Sequence, residues 1–412
     1  MSATLGSAAR VAFTGRRQRI DVPVPDDAAS VPYPALTLTG NGTTRTLSVD
    51  RTGKTKEVTI QTRPWLADAA NVADAARTAA QQGAKVLVIR NTVSDAQAVL
   101  GELEQQGASG LALAVKGTPA VHHSRFAVED RGLLDDAVES ALGKHRTPDG
   151  LVVTGTQTLE QSLDIDADLL ITDICPVDVL LQRIGRLHRH ERQRPAGYEA
   201  PRCVILTPGV GLKAGLHGSL MRHGLGIGSH GGGIYRDLLG VEQTRRLAVD
   251  HPVWRIPDMN RMLVERATNP IALRELAERL RGAWIEHERR TFGIYAAEEQ
   301  IARLHCLDRT LPFDENLVFP DLDEAVRTRL GEDGPRFELA KPATGPFGTA
   351  VRTFNLPAHL FGSGAAPTRH ELASACLDAS PDGAGLLRVG SHLFRYDRLG
   401  IRRAASDALP GE

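Results

Sequence analysis

The fold of this 412-residue chain is decided by the stretch KVLVIRNTVSDAQAVLGELEQQG, residues 85–107. KVLVIR is a short apolar run of the kind that forms a buried strand in a parallel sheet. The segment after it has the apolar spacing of a helix, with Ser94 as a candidate N-cap. A buried strand that leads directly into a helix predicts one unit of an α/β sheet.

The same alternation continues on both sides of this unit. Predicted helices end at Gly83 and at Gly143, and further apolar strands are predicted at residues 111–115, 150–155, 167–174 and 202–208. Strands and helices that alternate over about 140 residues predict a doubly wound parallel sheet. We expect the ligand site in the loops at the carboxyl ends of its strands.

The composition limits the classes of function. Lys plus Arg number 49 and Asp plus Glu 50, so any nucleic-acid surface must be local. The four cysteines have no Cys-x-x-Cys spacing, which is typical of a reducing cytoplasm and argues against a zinc site. We expect no secretion signal and no membrane span, because no apolar run is long enough.

The segment LLQRIGRLHRH, residues 180–190, is the main chemical candidate. If it is helical, Arg186 and Arg189 share a face, because they stand three residues apart. Two guanidinium groups on one face can stabilise the charge on phosphoryl oxygens, and Gly185 lets the backbone approach closely. A solvated charged face and a basic patch for nucleic acid are the alternatives. His188 and His190 face different ways on a helix, so we expect no metal site.

A second candidate, TGTQTLEQSLDID, follows the strand at residues 150–155. Thr156 can donate its hydroxyl and its backbone N–H to a phosphate, or it can simply cap the strand end. Asp164, eight positions later, can reach a ribose hydroxyl or organise a metal shell. His122 to Phe126, HHSRF, is either a contact loop or a buried structural turn.

These segments resemble a known family. TQTLEQSLDID and QRIGRLHRH resemble motifs V and VI of superfamily 2 helicases. Together with HHSRF, VLVIRNTVSDAQ, SATLG at residues 2–6 and TRLGED at residues 328–333, they resemble the CRISPR-associated helicase–nuclease family of type I systems. The resemblance covers most of residues 2–333 and implies a RecA-like second motor lobe.

The resemblance also implies roles for single residues. It implies that Arg186 and Arg189 are arginine fingers, that Gln182 orients the γ-phosphate or the attacking water, and that Asp164 and Gly185 lie at the nucleotide. It implies DNA-backbone contacts for Thr156, His123, Ser124 and Arg125, and a coupling role for Ser2, Ala3 and Thr4. The implied cofactors are ATP and Mg²⁺, held mainly by another lobe. The implied partners are single-stranded DNA, a CRISPR RNA-guided surveillance complex and an N-terminal helicase–nuclease half.

The phosphate-binding loop of such a motor, Gly-x-x-x-x-Gly-Lys-[Ser/Thr], is not found in the 412 residues. Gly53-Lys54-Thr55 has Ser48 where the first glycine belongs, and strand-like flanks predict a hairpin turn there. Asp314 and Asp323 begin acidic pairs that do not follow an apolar strand, so both are expected to be surface acids. The family's nuclease domain also has no counterpart.

We therefore expect the C-terminal part of an ATP-dependent single-stranded-DNA translocase, inactive by itself. A split gene, a late start codon or a degraded locus would each produce it. The alternatives are a catalytically silent nucleic-acid-binding fragment and a lobe of another DNA or RNA helicase. The predicted domains are a first-lobe remnant at 1–30, the second lobe at 31–210, a glycine-rich connection and helical linker at 211–295, and a small mixed accessory domain at 296–412.

Overall fold

A computed structural model describes residues 5–14, 22–40, 43–50, 53–160, 163–228, 231–304, 312, 335–361, 367–379 and 384–404. Its helices are α1 (Ser7–Thr14), α2 (Pro25–Ala29), α3 (Ala69–Gln81), α4 (Val93–Gln105), α5 (Val128–Leu142), α6 (Val177–Ile184), α7 (Leu238–Asp250), α8 (Asn260–Thr268), α9 (Pro270–Leu280), α10 (Ala283–Leu304) and α11 (Arg369–Ala373). Its strands are β1 (Ala35–Gly40), β2 (Thr43–Ser48), β3 (Lys56–Arg63), β4 (Lys85–Ile89), β5 (Ala114–Val115), β6 (Thr118–Pro119), β7 (Leu151–Gly155), β8 (Leu169–Asp173), β9 (Arg202–Leu206), β10 (Ile227–Gly228), β11 (Gly231–Gly232), β12 (Val253–Ile256), β13 (Arg336–Thr344), β14 (Ala350–Asn355), β15 (Cys376–Ala379), β16 (Gly385–Val389), β17 (His392–Asp397) and β18 (Gly400–Arg403).

The central sheet has six strands in the order β12-β3-β9-β8-β4-β7. Five of them run parallel, and β12 pairs antiparallel with β3 at one edge. The strand residues alternate between two cores: Val86 and Val88 pack with α3 and α4, whereas Leu87 and Ile89 pack with α6 to α9. Helices on both faces confirm the predicted α/β doubly wound sheet, which explains why its strands β4 and β8 are buried along their whole length.

A small C-terminal domain contains the four-stranded antiparallel sheet β15-β16-β17-β18 and the β13–β14 pair. Its aromatic core, with Phe354, Phe394 and Tyr396, also takes in Phe126 and Leu134 from the main domain. The C-terminal domain is therefore packed on α5 and on the loop that precedes α5.

The structure corrects three local predictions in the first half of the chain. The N-cap of α4 is Thr92 and not Ser94, because the Thr92 hydroxyl accepts from the backbone N–H of Asp95. The predicted strand at residues 111–115 is reduced to β5, because the chain touches β7 only at Ala112 and Leu113 and then turns at Gly117.

The Gly53-Lys54-Thr55 segment does not close a hairpin. β2 pairs with β1, whereas β3 pairs with β9 and β12, so the segment joins two different sheets. Lys54 is fully exposed and forms an ion pair with Glu191 at 2.8 Å. The hairpin prediction was wrong, because similar strand-like flanks do not reveal which strands pair.

The sequence also predicts a flexible or lid-like connection in the glycine-rich segment after Pro208 and a helix over residues 270–290, and both predictions change. The glycine-rich segment is packed and not lid-like, because Leu212, Leu220 and Leu225 are buried in the main core. Residues 270–290 form two helices, α9 and α10, because Arg281 and Gly282 both have a positive φ between them.

The predicted domain boundaries stay predictions, although several contacts bear on them. α7, α8 and α9 share the core of the central sheet, and α10 runs across residues 295 and 296. Ser7 of α1 donates to the buried carboxylate of Glu265 on α8 through its backbone N–H at 2.9 Å. Within the described residues, no helix has the length and apolar character needed to cross a membrane.

Candidate functional site

The arginine segment is not a continuous helix. α6 ends at Ile184, and Gly185 is its C-cap. The chain then turns: Leu187 forms a bridge with Ala167, and His188 has a φ of 49°. The prediction that Arg186 and Arg189 share a helix face was therefore wrong.

Both arginines nevertheless reach the same loop, which follows the carboxyl end of β7. The Arg186 guanidinium donates to the carbonyl oxygens of Glu160 and Leu163. The Nε atom of Arg189 lies 2.6 Å from Oδ1 of Asp164. Arg186 is half-buried and Arg189 is exposed, so two planar cations converge on one loop with access to solvent.

Other residues predicted for nucleotide chemistry lie around this pair. The carboxylate of Asp164 is exposed and lies 3.1 Å from Nε2 of His190 as well as beside Arg189. Gln182 is exposed on α6, and Gly185 is half-buried. Burial and the nearby Arg189 lower the pKa of the Arg186 guanidinium, yet an arginine stays cationic at physiological pH.

A buried ionic network behind the pair was not predicted. Asp166 lies 2.7 Å from Arg192 and 3.0 Å from Arg194, and Asp168 lies 2.7 Å from Arg194. The backbone N–H of Arg189 donates to Asp166 at 2.8 Å. This network fixes the backbone that carries Arg189. In the sequence, the only sign of the network is the aspartate at every second position of LDIDAD, residues 163–168.

The end of α6 is held by Lys56 of β3. Its ammonium donates to the carbonyl oxygens of Ile184, at 2.9 Å, and Leu187. Burial lowers the pKa of Lys56 to about 8. A cation at these carbonyls suits the negative end of the helix dipole and positions the turn that carries Arg186.

Arg183 was also missed, and it is the most connected side chain of the site. It is fully buried and donates to Glu160 at 2.8 Å, to Thr172 at 2.6 Å and to the Tyr235 hydroxyl at 3.0 Å. It also contacts Asn91. Arg183 therefore ties α6 to the loop that Arg186 and Arg189 contact.

Two residues predicted to contact DNA are buried. The backbone N–H of Thr156 already donates to the carbonyl of His122, and Thr156 is 3% exposed. His123 is completely buried: its Nε2 lies 3.0 Å from the Leu399 carbonyl, and its Nδ1 accepts from the N–H of Arg125. Burial lowers the pKa of His123 well below its usual value, so the ring is neutral. Neither side chain is accessible in this structure, and their contact with DNA stays a prediction.

The neighbouring Ser124 and Arg125 do reach the surface. Ser124 is exposed, and Arg125 is half-buried with Nη2 2.9 Å from Nε2 of His359. His122, next to them, hydrogen-bonds to Asp135 at 2.7 Å and Thr158 at 2.9 Å. The HHSRF segment thus combines two buried histidines with an exposed Ser124 and a half-buried Arg125.

Several predicted features lie outside the described residues. These are Ser2, Ala3 and Thr4, the acidic pairs at Asp314 and Asp323, and the segment TRLGED. In the described part of the chain no group of three or more His, Cys, Asp and Glu side chains is placed to hold a metal ion.

The chain is similar to known proteins over this region. Residues 82–192 match the family profile described as CRISPR-associated nuclease/helicase Cas3, C-terminal. The CRISPR-associated endonuclease/helicase Cas3 of Escherichia coli (strain K12) is 42% identical over 132 residues, which is 32% of this chain and 14% of that protein.

Two solved structures have the same fold. T. fusca Cas3 with AMPPNP gives a TM-score of 0.68 at 20% identity, over 98% of this chain and 49% of that chain. A chain in a CRISPR RNA-guided surveillance complex, in its pre-nicking state, gives a TM-score of 0.62 at 20% identity, over 97% of this chain and 52% of that chain. The chain therefore spans about half the length of these solved structures.

Proposed function

We propose that this chain forms the second motor lobe of an ATP-driven translocase on single-stranded DNA. The premise is that the chain carries a Cas3-like C-terminal domain and is the counterpart of the C-terminal half of a Cas3 helicase. The motor would act against foreign DNA in type I CRISPR interference, in the cytoplasm. The observation that carries the proposal is the convergence of Arg186 and Arg189 on the loop that follows β7.

The donor set at this loop suits a nucleoside triphosphate. Arg186 and Arg189 offer two cations with planar donor groups, and the exposed Gln182 and Asp164 add polar groups beside them. Similarity to a structure solved with an ATP analogue supports this choice of ligand. A bound ATP would supply the transferable phosphoryl group, with Mg²⁺ and most phosphate contacts coming from the N-terminal lobe.

In this assignment the chain's own residues orient the charge-stabilising groups. Lys56 and Arg183 hold the end of α6, and Asp166 holds the backbone at Arg189. Such preorganisation matters because a donor already aimed at developing charge needs no reorganisation during the reaction. Gln182 would orient the attacking water or the γ-phosphate.

The proposed DNA track runs over the exposed Ser124 and the half-buried Arg125 of the HHSRF segment. Backbone phosphates attract an arginine without regard to base sequence, which suits a translocase. The structural likeness to a chain of a surveillance complex supports such a complex as the partner that delivers DNA.

The test combines this chain with a matching N-terminal helicase half and measures DNA-dependent ATP hydrolysis. We expect Arg186→Ala and Arg189→Ala each to lower turnover by roughly 10³-fold, the scale known for arginine fingers. Nucleotide affinity should change far less. A lysine at either position should restore little of the turnover, because its ammonium group lacks the planar set of donors of a guanidinium group.

Arg279→Ala is the matched control, since Arg279 is an exposed arginine in the last turn of α9. Thermal unfolding of each variant separates a lost finger from a disturbed loop. An active reconstituted motor in which both arginine variants keep normal turnover would show that Arg186 and Arg189 are not arginine fingers. No DNA-dependent turnover on mixing the two halves would favour the catalytically silent nucleic-acid-binding fragment.

A further inference from the structure

The turn between β17 and β18, residues 398–400, lies directly against the HHSRF segment. The carbonyl of Leu399 is 3.0 Å from Nε2 of His123, and the backbone N–H of Ile401 donates to the carbonyl of Arg125 at 2.8 Å. A Cβ on Gly400 would lie 2.4 Å from Cε1 of His123 and 2.5 Å from the Arg125 carbonyl oxygen. This turn therefore fits against the segment with no room for a side chain.

The same domain also holds the side chain of Arg125. Nη2 of Arg125 donates to Nε2 of His359, at 2.9 Å. Burial and the charge of Arg125 lower the pKa of His359, which keeps its ring neutral and able to accept. Arg125 is thus held at its backbone by β18 and at its guanidinium by His359.

Further contacts fix the turn itself on the main domain. The Leu399 carbonyl also accepts from Gln97 of α4 at 2.6 Å. Arg398 forms an ion pair with Glu104 at 2.8 Å, and the Tyr396 hydroxyl accepts from the N–H of Ala127 at 3.1 Å. The turn is therefore anchored on both sides of the segment that it contacts.

We infer that the C-terminal domain positions Arg125 for contact with single-stranded DNA, through the turn at residues 398–400 and through His359. The inference rests on the proposed DNA track and deepens it, because it makes Arg125 a contact that depends on two domains. A side chain fixed at both ends loses little rotamer freedom on binding a phosphate, so its contribution to affinity is larger.

Two variants test the two ends of this arrangement, with a fluorescent oligothymidine strand as the probe. Gly400→Ala introduces a Cβ against His123 and the Arg125 carbonyl. Gly348→Ala is its matched control, because Gly348 also has a positive φ, 69° against 80°, but a Cβ there meets nothing within 4 Å. His359→Ala removes the side-chain contact of Arg125 and introduces no clash, so it tests the inference even if Gly400→Ala fails to fold.

We expect Gly400→Ala and His359→Ala to weaken binding by about three- to tenfold, as for one lost polar contact. The slope of log affinity against log salt should fall by about 0.7, which corresponds to one phosphate. Arg125→Ala should give the same slope, and Arg125→Ala combined with His359→Ala should lose nothing further. General destabilisation would lower the amount of folded protein but would not change this slope.

Two results would overturn the inference in distinguishable ways. If Arg125→Ala weakens binding while Gly400→Ala and His359→Ala both bind like Gly348→Ala, the track stands and the positioning role is wrong. If Arg125→Ala itself binds with unchanged affinity and slope, the proposed track and the inference fall together.

Discussion

Arg183 and Arg186 stand three residues apart in one motif, yet their surroundings give them different roles. Arg183 is fully buried among Glu160, Thr172 and Tyr235, whereas Arg186 is half-buried and contacts carbonyl oxygens at the rim. Arg183 and Glu160 must stay paired, because a buried charge without a partner destabilises the folded state. Arg183 thus supports the loop, and Arg186 remains the group that can contact a ligand.

We expect Arg183→Met to lower the free energy of unfolding by about 3–5 kcal/mol, because it leaves the Glu160 carboxylate buried without its cation. Urea unfolding of the 412-residue chain measures the change. Arg279→Ala, on an exposed helix end, should change the free energy by less than about 0.5 kcal/mol. Equal stability of Arg183→Met and the unmutated chain would show that the buried network contributes nothing net.

At the scale of elements, the ends of helices decide the geometry of the site. α6 stops at Ile184 because Gly185 caps it and Lys56 binds its last carbonyls. α9 and α10 are separated at Arg281, whose φ of 59° and ψ of 178° lie in a region that is essentially restricted to glycine. Both breaks occur inside sequences whose apolar spacing is continuous.

Arg281→Gly should raise the free energy of unfolding by about 1 kcal/mol, because it removes backbone strain and only part of the gain is lost to the more flexible unfolded chain. Arg281→Ala keeps the strained φ and should give no such gain. The urea midpoint at an unchanged m-value reports the difference. A lower midpoint for Arg281→Gly would mean that the Arg281 side chain stabilises the break.

The strands β4, β7, β8 and β9 could be predicted because each is a short, mainly apolar run that is largely buried in the sheet. β4 has the predicted start at Lys85, and β7, β8 and β9 each lie within their predicted ranges. The ending of α6 was not predicted although Gly185 is a local signal for a helix end, because the second contact on its last carbonyls comes from Lys56, more than a hundred residues away. Arg183 was missed because arginine is rarely fully buried unless paired, and its partners are distant in sequence.

The molecule as a whole joins one sheet with two cores to a C-terminal domain that rests on α5. The described arginine site faces solvent, and the 412 residues contain no phosphate-binding loop of the helicase type. In the proposed function, the nucleotide is held mainly by an N-terminal lobe. An arginine that acts on a nucleotide held by another lobe gives no turnover without that lobe.

The purified 412-residue chain should therefore hydrolyse ATP no faster than background, with or without single-stranded DNA. Phosphate release measured over hours is the assay, and the reconstituted motor is the positive reference. Clear DNA-stimulated turnover by this chain alone, lost in Arg186→Ala, would contradict the proposal that ATP hydrolysis requires a nucleotide held by another lobe.

The contacts that hold Arg186 and Arg189 on their own loop set a threshold for any ligand. Asp164 already neutralises one cation, and two carbonyl oxygens occupy the other. An incoming anion must exchange with these internal acceptors, so a small monovalent ion gains little by binding. In the proposed function, the triphosphate of the nucleotide offers several oxygens at once and would displace them. The loop would then act as an internal competitor that favours highly charged ligands over the far more abundant simple anions of a cell.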